Sequence, residues 1–318
     1  MAKYLVTGAA GFIGSHLVEA LLARGENVVG IDEFNDYYDP HLKRQNLAQS
    51  LNHPQFQLIE DNILNLDWTQ LLKETQAVFH QAAQAGVRAS WGQQFHFYTE
   101  RNLNATQVIL EAAKEAKELQ RFVYASSSSI YGNAERLPTP ETTCPQPVSP
   151  YGITKLAAEQ LCWQYHQNFG VPATALRYFT VYGPRQRPDM AFHKFLRAVV
   201  NEQPISIFGD GEQTRDFTFI SDAVAANLSA AEVSGAVGEV FNVGGGSRVS
   251  LNQVLEKMEA IVGTKIQRSY HERATGDARD TSAEISKANR ILQYSPQVGL
   301  EQGLTQEWEW IQNQFKPL

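Results

Sequence analysis

Cysteine is scarce in this chain. Only Cys144 and Cys162 occur among its 318 residues, and no CxxC pair is present. So sparse a pair is neither a disulfide framework nor a typical zinc-binding motif. We therefore expect two reduced thiols in a cytosolic protein, with no metal site.

Basic blocks and long apolar runs are also missing. The formal net charge is −7, which argues against a nucleic-acid partner. The N-terminus runs directly into the apolar segment 3–8 without a basic leader, and no apolar run reaches the length of about 18 residues that suggests a membrane helix. We expect a soluble cytoplasmic protein with no membrane partner.

No linker, repeat or low-complexity segment divides the chain, and 43% of its residues are hydrophobic, enough for a large core. Up to residue 180, short β-rich runs alternate with helical stretches, which is typical of a parallel sheet with helices on both faces. The predicted strands are 3–8, 27–32, 56–60, 77–82, 121–127 and 173–179, and helices are predicted at 15–25 and 104–118.

Beyond residue 180 the alternation loosens into two amphipathic helices, 191–202 and 251–263, and two short strands, 205–209 and 239–245. We predict an α/β fold with a Rossmann-type doubly wound parallel sheet in residues 1–180. Residues 181–318 are predicted to form a smaller C-terminal α/β substrate-binding lobe, with some segments returning to the first domain. Ligands should bind at the C-terminal strand ends, between the two parts.

Three glycines, Gly8, Gly11 and Gly14, follow the first predicted strand and lead into a helix. Glycine allows the backbone to turn tightly beside a pyrophosphate, and the following helix offers free N–H groups to the anion. The next strand ends at Asp32, whose carboxylate would accept hydrogen bonds from the adenosine ribose and repel a 2′-phosphate. The pattern predicts a dinucleotide site that takes NAD rather than NADP; a simple tight turn is the alternative.

Tyr151 and Lys155 are spaced to share one face of a helix that begins near Pro150. A phenol has a pKa near 10 and is a poor base at neutral pH. A neighbouring ammonium and an oxidised nicotinamide would lower that pKa, so the tyrosine could remove a hydroxyl proton as hydride leaves the same carbon. The alternative is a surface tyrosine beside a solvated lysine.

Six segments spread along the chain form a recognisable set: 7–14 (TGAAGFIG), 80–88 (HQAAQAGVR), 125–132 (ASSSSIYG), 151–155 (YGITK), 177–190 (RYFTVYGPRQRPDM) and 214–222 (TRDFTFISD). Together they resemble the nucleotide-sugar epimerases of the extended short-chain dehydrogenase/reductase family. The resemblance implies a catalytic trio of Ser127, Tyr151 and Lys155, the last two also touching the cofactor. It further implies cofactor contacts from Phe12, Ile13, Asn62, Ile63, Ala82, Ala83, Gln84, Asn102 and Tyr178. Glu33 and Asn62 stand where many relatives are expected to carry asparagine and aspartate.

In the families that this chain resembles, the two positions after the first catalytic hydroxyl help to decide the reaction. Dehydratases place Asp-Glu there, and UDP-glucuronate decarboxylases place Ser-Glu. This chain has Ser128 and Ser129, which lack acid-base power. Oxidation and return of hydride at C4 remain, which predicts epimerisation.

Segment 177–190 most resembles UDP-glucuronate 4-epimerases, since UDP-galactose 4-epimerases usually carry asparagine where Thr180 stands. Short hydroxyls suit a C6 carboxylate as charge-assisted donors. We therefore assign Ser128, Ser129 and Thr180 to that carboxylate, and Arg187 to it or to a neighbouring sugar oxygen. A hydrogen-bonded strand end without a ligand is the alternative for the two serines.

The resemblance also assigns the nucleotide end. It places Arg215 at the diphosphate, Asp277 at the uridine ribose and segment 190–195 near the uracil. Arg88 is expected to reach the substrate. Arg273 and Arg279 are further candidate cations, and for all three of these arginines a solvated surface position is the alternative.

Several readings remain open at this stage. A UDP-glucose or UDP-N-acetylglucosamine 4-epimerase is the nearest rival. A UDP-glucuronate decarboxylase is disfavoured by Ser129, and a non-catalytic NAD-sensing protein is disfavoured by the intact Tyr151 and Lys155. The resemblance further implies a homodimer through helices such as 98–118 and 151–169, and a role in polysaccharide biosynthesis.

Overall fold

A seven-stranded parallel sheet forms the centre of the computed structural model, which describes residues 3–272 and 276–315. The strands of these described parts are β1 (Lys3–Thr7), β2 (Asn27–Asp32), β3 (Phe56–Glu60), β4 (Thr75–His80), β5 (Arg121–Ser127), β6 (Ala173–Tyr178), β7 (Thr180–Tyr182), β8 (Ile205–Phe208), β9 (Thr214–Phe219), β10 (Val240–Val243), β11 (Arg248–Ser250) and β12 (Arg268–His271). The large sheet has the order β10-β6-β5-β4-β1-β2-β3. This confirms the predicted fold class.

Helices cover both faces of that sheet. They are α1 (Phe12–Ala23), α2 (Pro40–Asn46), α3 (Trp68–Leu72), α4 (Phe95–Tyr98), α5 (Ala105–Ala113), α6 (Pro150–Phe169), α7 (Ala191–Val200), α8 (Ile220–Glu232), α9 (Leu251–Val262), α10 (Ser286–Leu292) and α11 (Leu300–Phe315). Because side chains alternate along a strand, β4 sends Phe79 into the core beneath α1 and α8, and Val78 into the core beneath α5 and α6. The sheet is therefore buried on both sides.

The six strands predicted before residue 180 correspond to β1 through β6, with ends shifted by at most two residues. The helix predicted over 104–118 ends earlier, at Ala113. Residues 114–118 read KEAKE, and none of them is fully buried, so no apolar face holds another helical turn against the core. A π-helical turn, Thr99–Asn104, precedes α5.

The C-terminal half contributes to both parts of the molecule. β10 returns to the large sheet and pairs in parallel with β6. Two small sheets, β11-β9-β7 and β12-β8, stand beside it. A domain division at residue 180 stays a prediction. Within the described ranges, every helix is too short or too polar to span a lipid bilayer.

Candidate functional site

One cavity of about 1200 Å³ runs along the carboxyl ends of β1, β2, β4, β5 and β6 and is closed by segments of the C-terminal half. This is the edge at which open parallel sheets bind ligands. Nearly all predicted site residues line it: Gly8, Gly11, Phe12, Ile13, Gly14, Asp32, Asn62, Ile63, Ala82, Ala83, Gln84, Arg88, Ser127, Ser128, Ser129, Tyr151, Lys155, Tyr178, Thr180, Arg187, Arg215 and Asp277.

The glycine loop is shaped by close backbone approach. Gly8 has φ +66°, and a Cβ there would lie 2.8 Å from the amide nitrogen of Ala82. A Cβ on Gly14 would collide with the carbonyl oxygen of Gly8. Helix α1 follows directly, and its N-cap, Gly11, has no side chain to satisfy the first N–H groups. These amides and the space above them fit the pyrophosphate of a dinucleotide.

Asp32 is held rigidly at the end of β2. Its Oδ2 accepts the amide of Ala10 at 3.0 Å, and its Oδ1 accepts the amide of Phe34 at 2.9 Å. Burial raises the pKa of this carboxyl, while nearby Lys43 opposes the rise. Each oxygen keeps a second lone pair for a ribose hydroxyl. Lys43 lines the same end of the cavity, and no local pattern in the sequence marks it.

Glu33 and Asn62, which stand where many relatives are expected to carry asparagine and aspartate, contact each other. The Asn62 amide donates to Glu33 Oε2 at 2.8 Å, and Arg101 Nε lies 2.9 Å from Glu33 Oε1. Compared with that expectation, the carboxylate stands at position 33 and the amide at position 62. The pair therefore has the same two kinds of group, with their positions exchanged. Arg101 also donates to the side-chain oxygen of Gln84 at 2.7 Å, so the adenosine end is joined to the loop after β4.

Asn102, unlike the other predicted cofactor-binding residues, all of them in the described part of the chain, does not line the cavity. It is 1% exposed, in the π-helical turn. Its side chain accepts the amide of Gln84 at 2.7 Å and donates to the hydroxyl of Thr154 at 3.0 Å. It therefore ties the loop that carries Ala83 and Gln84 to helix α6; its predicted contact with the cofactor stays a prediction.

Strand β5 and helix α6 bring the predicted catalytic trio together. Lys155 Nζ donates to the carbonyl oxygen of Ala125 at 2.8 Å, and the Ser127 hydroxyl is near enough to the Tyr151 phenol to lower its pKa. Burial lowers the pKa of Lys155 to about 7. The spacing of Tyr151 and Lys155 in the sequence thus places a half-buried phenol and a buried ammonium near the end of the strand.

We expected Lys155 to lower the pKa of Tyr151. For the groups of the protein itself, without a cofactor, this expectation is wrong. Burial is the largest influence and raises the pKa of Tyr151, although Ser127 and Arg187 oppose the rise. The reason is that the phenol is desolvated by the protein around it, and this influence is larger than that of the neighbouring Ser127 and Arg187.

The remaining serines and Thr180 face the same region. Ser127 caps a short 3₁₀ turn, Ser128–Ile130, by accepting the amide of Ser129 at 3.1 Å. Ser128 and Ser129 are half-buried on the cavity wall, and Thr180 opens strand β7. Three hydroxyl side chains outside the trio are thereby available to a ligand beside Tyr151.

Arg187 is locked by partners that sequence analysis missed. Its Nε and one terminal nitrogen donate to the two oxygens of Asp189, at 2.9 and 3.0 Å. The Tyr37 hydroxyl donates to the same carboxylate at 3.2 Å. The Arg-x-Asp spacing could have signalled this pair, whereas Tyr37 lies 152 residues away from Asp189.

The predicted nucleotide-end residues form contacts across the cavity mouth. Arg88 donates to Asp277 Oδ2 at 2.9 Å, and its guanidinium lies 4.4 Å from the ring centre of Phe208. Arg215 donates to the carbonyl oxygen of Arg279 at 2.8 Å. Arg273 lies outside the described residues.

Segment 190–195 divides between the cavity and the core. Met190, Ala191, Phe192, Lys194 and Phe195 line the cavity. His193 turns away, with Nδ1 2.7 Å from the carbonyl oxygen of Gln186. In the parts of the chain that the structure describes, no group of three or more acidic, histidine or cysteine side chains is arranged to hold a metal ion.

Comparison with known proteins adds a family context. The model of the NAD dependent epimerase/dehydratase family matches residues 4–244. A UDP-glucuronate 4-epimerase of Thermodesulfobacterium geofontis is 39% identical over 314 residues, 98% of this chain and 96% of that protein. An uncharacterized UDP-glucose epimerase of Bacillus subtilis, YtcB, is 45% identical over 315 residues, 99% of each chain.

A solved structure is similar over nearly the whole chain. The UDP-glucuronic acid 4-epimerase from Bacillus cereus, in complex with UDP-glucuronic acid and NAD, is 45% identical and aligns with a TM-score of 0.96. The match covers 98% of this chain and 100% of that one. These similarities confirm the predicted Rossmann-type fold and the predicted cofactor, NAD.

Proposed function

The chain belongs to the NAD dependent epimerase/dehydratase family, and we propose that it interconverts UDP-glucuronate and UDP-galacturonate by inverting C4. The observation that carries this proposal is a set of hydroxyl side chains that line the same cavity as Tyr151 and Lys155. Ser128, Ser129 and Thr180 line that region, and positions 128 and 129 provide no acid or base for elimination. The similarity to UDP-glucuronate 4-epimerases supports the choice of substrate.

NAD, when bound by the glycine loop and Asp32, supplies the hydride acceptor and donor, so the reaction has no net redox change. The Tyr151 oxygen takes the proton from O4 while C4 becomes a ketone, and returns it when C4 is reduced on the opposite face. Ser127, whose hydroxyl lies near the Tyr151 phenol and lowers its pKa, holds O4. Lys155 is buried one helical turn from Tyr151 and is fixed to the carbonyl oxygen of Ala125.

Inversion requires the 4-keto sugar to turn and present its other face. A UDP group held firmly by Arg215, Asp277 and Arg88 would let the sugar swing about its phosphate link. We assign these residues to the diphosphate and uridine end. Their clustering at the cavity mouth supports that assignment.

A glucuronate substrate creates a chemical problem that the hydroxyls would solve. Oxidation at C4 gives a β-keto acid, which loses CO2 easily when its C5–carboxylate bond stands perpendicular to the ketone plane. We assign Ser128, Ser129 and Thr180, with Arg187 behind them, to the carboxylate. Fixed donors would hold it where that overlap is poor and keep its charge localised.

A second candidate is a UDP-glucose 4-epimerase, favoured by the 45% identity to YtcB of Bacillus subtilis. The purified protein should be mixed separately with UDP-glucuronate, UDP-glucose and UDP-N-acetylglucosamine, without added NAD, and followed by NMR. We expect UDP-galacturonate to form fastest. Much faster turnover of UDP-glucose would overturn the substrate assignment and leave the epimerase mechanism intact.

The assembly and cellular context complete the proposal. Helix α6 carries exposed apolar side chains, with Ile153 52% and Trp163 45% exposed, and covering such a face would support a homodimer. We place the protein in the cytoplasm, in polysaccharide biosynthesis, since its product is an activated sugar. Light scattering of the wild type and of Trp163→Lys tests the dimer: a wild-type monomer would refute it.

A further inference from the structure

One serine of the run, Ser126, has no part in the proposed chemistry, yet it makes a short buried contact. Its Oγ donates to Glu159 Oε2 at 2.6 Å, and the serine is 2% exposed. Alternation along β5 directs Ser126 to the α6 side of the sheet, where Phe122 and Tyr124 pack. The contact therefore joins strand β5 to helix α6.

Glu159 lies on the same helix as the reacting pair. Residues 151, 155 and 159 are four apart, so their side chains line one face of α6. Three consecutive residues at the end of β5 meet that face: the Ala125 carbonyl accepts from Lys155, Ser126 donates to Glu159, and the Ser127 hydroxyl lies near the Tyr151 phenol. The position of the helix relative to the strand end is thus fixed at three successive turns.

Arg177 completes this arrangement from the neighbouring strand. It pairs in register with Ser126, and its Nε and Nη2 donate to Glu159, the shortest contact being 2.6 Å. Both side chains are almost fully buried, at 5% and 2% exposed. Nη1 donates to the Tyr131 hydroxyl at 2.7 Å. Burying such a pair carries a desolvation cost that an apolar pair would avoid. The pair is therefore not explained by stability alone.

The pair also leaves the electrostatics of the reacting groups almost undisturbed. Because Arg177 neutralises Glu159, the carboxylate one turn from Lys155 adds no net charge beside it. Burial sets the lowered pKa of Lys155, at about 7. A single uncompensated charge in the same place would shift the ionisation of Lys155 and Tyr151 together.

We infer that Ser126, Glu159 and Arg177 form a positioning unit that sets the distance between Ser127 and Tyr151 while adding no net charge. Ser126 borders the cavity, but its hydroxyl is bonded to Glu159 and the residue is 2% exposed; Glu159 and Arg177 lie outside the cavity lining, so they act through the strand and the helix that they join. The inference rests on the proposed function, in which Tyr151 takes the O4 proton and Ser127 holds O4.

The decisive variant is Ser126→Ala, which removes one donor and keeps the ion pair. Since misplacing a reacting group by about 1 Å can cost on the order of 100-fold in rate, we expect kcat to fall about 10- to 100-fold. KM for the UDP-sugar should change less than about twofold, because the hydroxyl that is removed is bonded to Glu159 and the proposal assigns it no substrate contact. The ultraviolet titration of the Tyr151 phenolate, with Tyr151→Phe subtracted, should move to higher pH as Ser127 moves away from the phenol.

Two further variants separate position from charge and from stability. Glu159→Gln keeps an acceptor for Ser126 and leaves Arg177 uncompensated, so the pH profile of kcat should move to lower pH. Thr174→Val is the matched control: it removes one buried hydrogen bond from β6, to the carbonyl oxygen of Ala236, and should lower Tm without changing kcat.

The outcomes are distinct from those that test the function itself. A wild type that turns over no UDP-sugar refutes the proposed function. An active wild type with wild-type kcat and phenolate titration in Ser126→Ala refutes the positioning unit. If Thr174→Val lowers kcat as strongly as Ser126→Ala, the effect is general loss of stability and the inference also fails.

Discussion

The two ends of the cavity are constructed in different ways. At the cofactor end, Gly8, Gly14 and Asp32 belong to one β-α-β unit and act largely through the backbone around them. At the end that we assign to the nucleotide sugar, charged side chains meet from distant segments: Arg88 and Asp277 are 189 residues apart. The first end depends on local conformation, and the second depends on how remote loops pack.

This difference has an electrostatic side. The chain carries a net charge of −7, so cations for a diphosphate must be concentrated locally. Arg88 and Arg187 each lie beside a carboxylate, Asp277 and Asp189 respectively. These carboxylates hold the arginines in place and moderate their charge, whereas the glycine loop offers N–H groups that need no counter-charge.

The largest expected effect lies where the two ends meet. Tyr151→Phe removes the only group proposed to accept the O4 proton, and acid-base catalysis of this kind contributes about 10²–10⁴-fold. We expect kcat to fall by that factor with NAD still bound, measured by NMR turnover and cofactor content. Tyr165→Phe is the control. Tyr165 lies on the same helix as Tyr151, and its hydroxyl donates to Glu111 at the surface, so this variant should keep wild-type activity. Near-normal turnover in a folded Tyr151→Phe protein would refute the mechanism.

At the cofactor end, a substitution that displaces the backbone of the glycine loop should weaken the binding of NAD. In Gly14→Ala the new methyl collides with the Gly8 carbonyl, and overpacking of this kind costs about 1–3 kcal/mol. We expect a lower Tm and loss of the stabilisation that added NAD gives the wild type. Gly299→Ala, where a Cβ meets nothing within 4 Å, is the control and should behave as wild type. Normal NAD stabilisation in Gly14→Ala would contradict the proposed cradle.

At the end that we assign to the nucleotide sugar, removal of hydroxyl groups should weaken the binding of the substrate and change the product. Ser128→Ala, Ser129→Ala and Thr180→Val each remove a bond to a charged group, worth about 1.5–3 kcal/mol. We expect weaker binding of UDP-glucuronate and, in paired variants, release of CO2 with a UDP-pentose or its 4-keto form, followed by NMR and NADH absorbance.

Thr218→Val is the control for that series, because its hydroxyl donates to the Val243 carbonyl in the core. It should leave the product ratio unchanged. If the hydroxyl variants are only slower, with no decarboxylated product above the wild-type level, these groups bind substrate without restraining the carboxylate.

The smallest effect is expected for Glu33 and Asn62, at the end of the cavity that we assign to the adenosine of NAD. Glu33→Gln weakens its contacts with Asn62 and Arg101, and we expect NAD affinity to fall about tenfold, or about 1.4 kcal/mol, by calorimetry. The double variant Glu33→Asn with Asn62→Asp should recover most of it. Glu60→Gln, on the surface beside Arg44, should have no effect. Additive losses in the double variant would show that the two positions act independently.

Much of the fold was predictable because each strand or helix of an alternating α/β chain has a recognisable pattern of residues within its own segment. Strands β1 to β6 follow β-rich runs of the sequence. The return of β10 to the large sheet was not predictable in detail, since a run of four residues does not encode its neighbour. Helices α8 and α11 escaped the sequence analysis altogether; their stability comes from packing against other elements.

The site divides in the same way. Gly8, Asp32, Tyr151 and Lys155 follow local rules of turns, strand ends and helical spacing. The burial of Lys43, the inward turn of Asn102 and the contact of Ser126 with Glu159 depend on elements far apart in the chain. No spacing rule reaches across such separations.

By itself the sequence determined the order of strands and helices up to residue 180, the glycine loop and the shared helical face of Tyr151 and Lys155. These features arise from backbone conformation and the fixed periods of helix and strand, which operate over a few residues. Tertiary structure alone decided which carboxylate holds each arginine, and that burial raises the pKa of Tyr151 and lowers that of Lys155. Ion pairing and desolvation depend on which distant atoms surround a group, and only the folded chain brings them together.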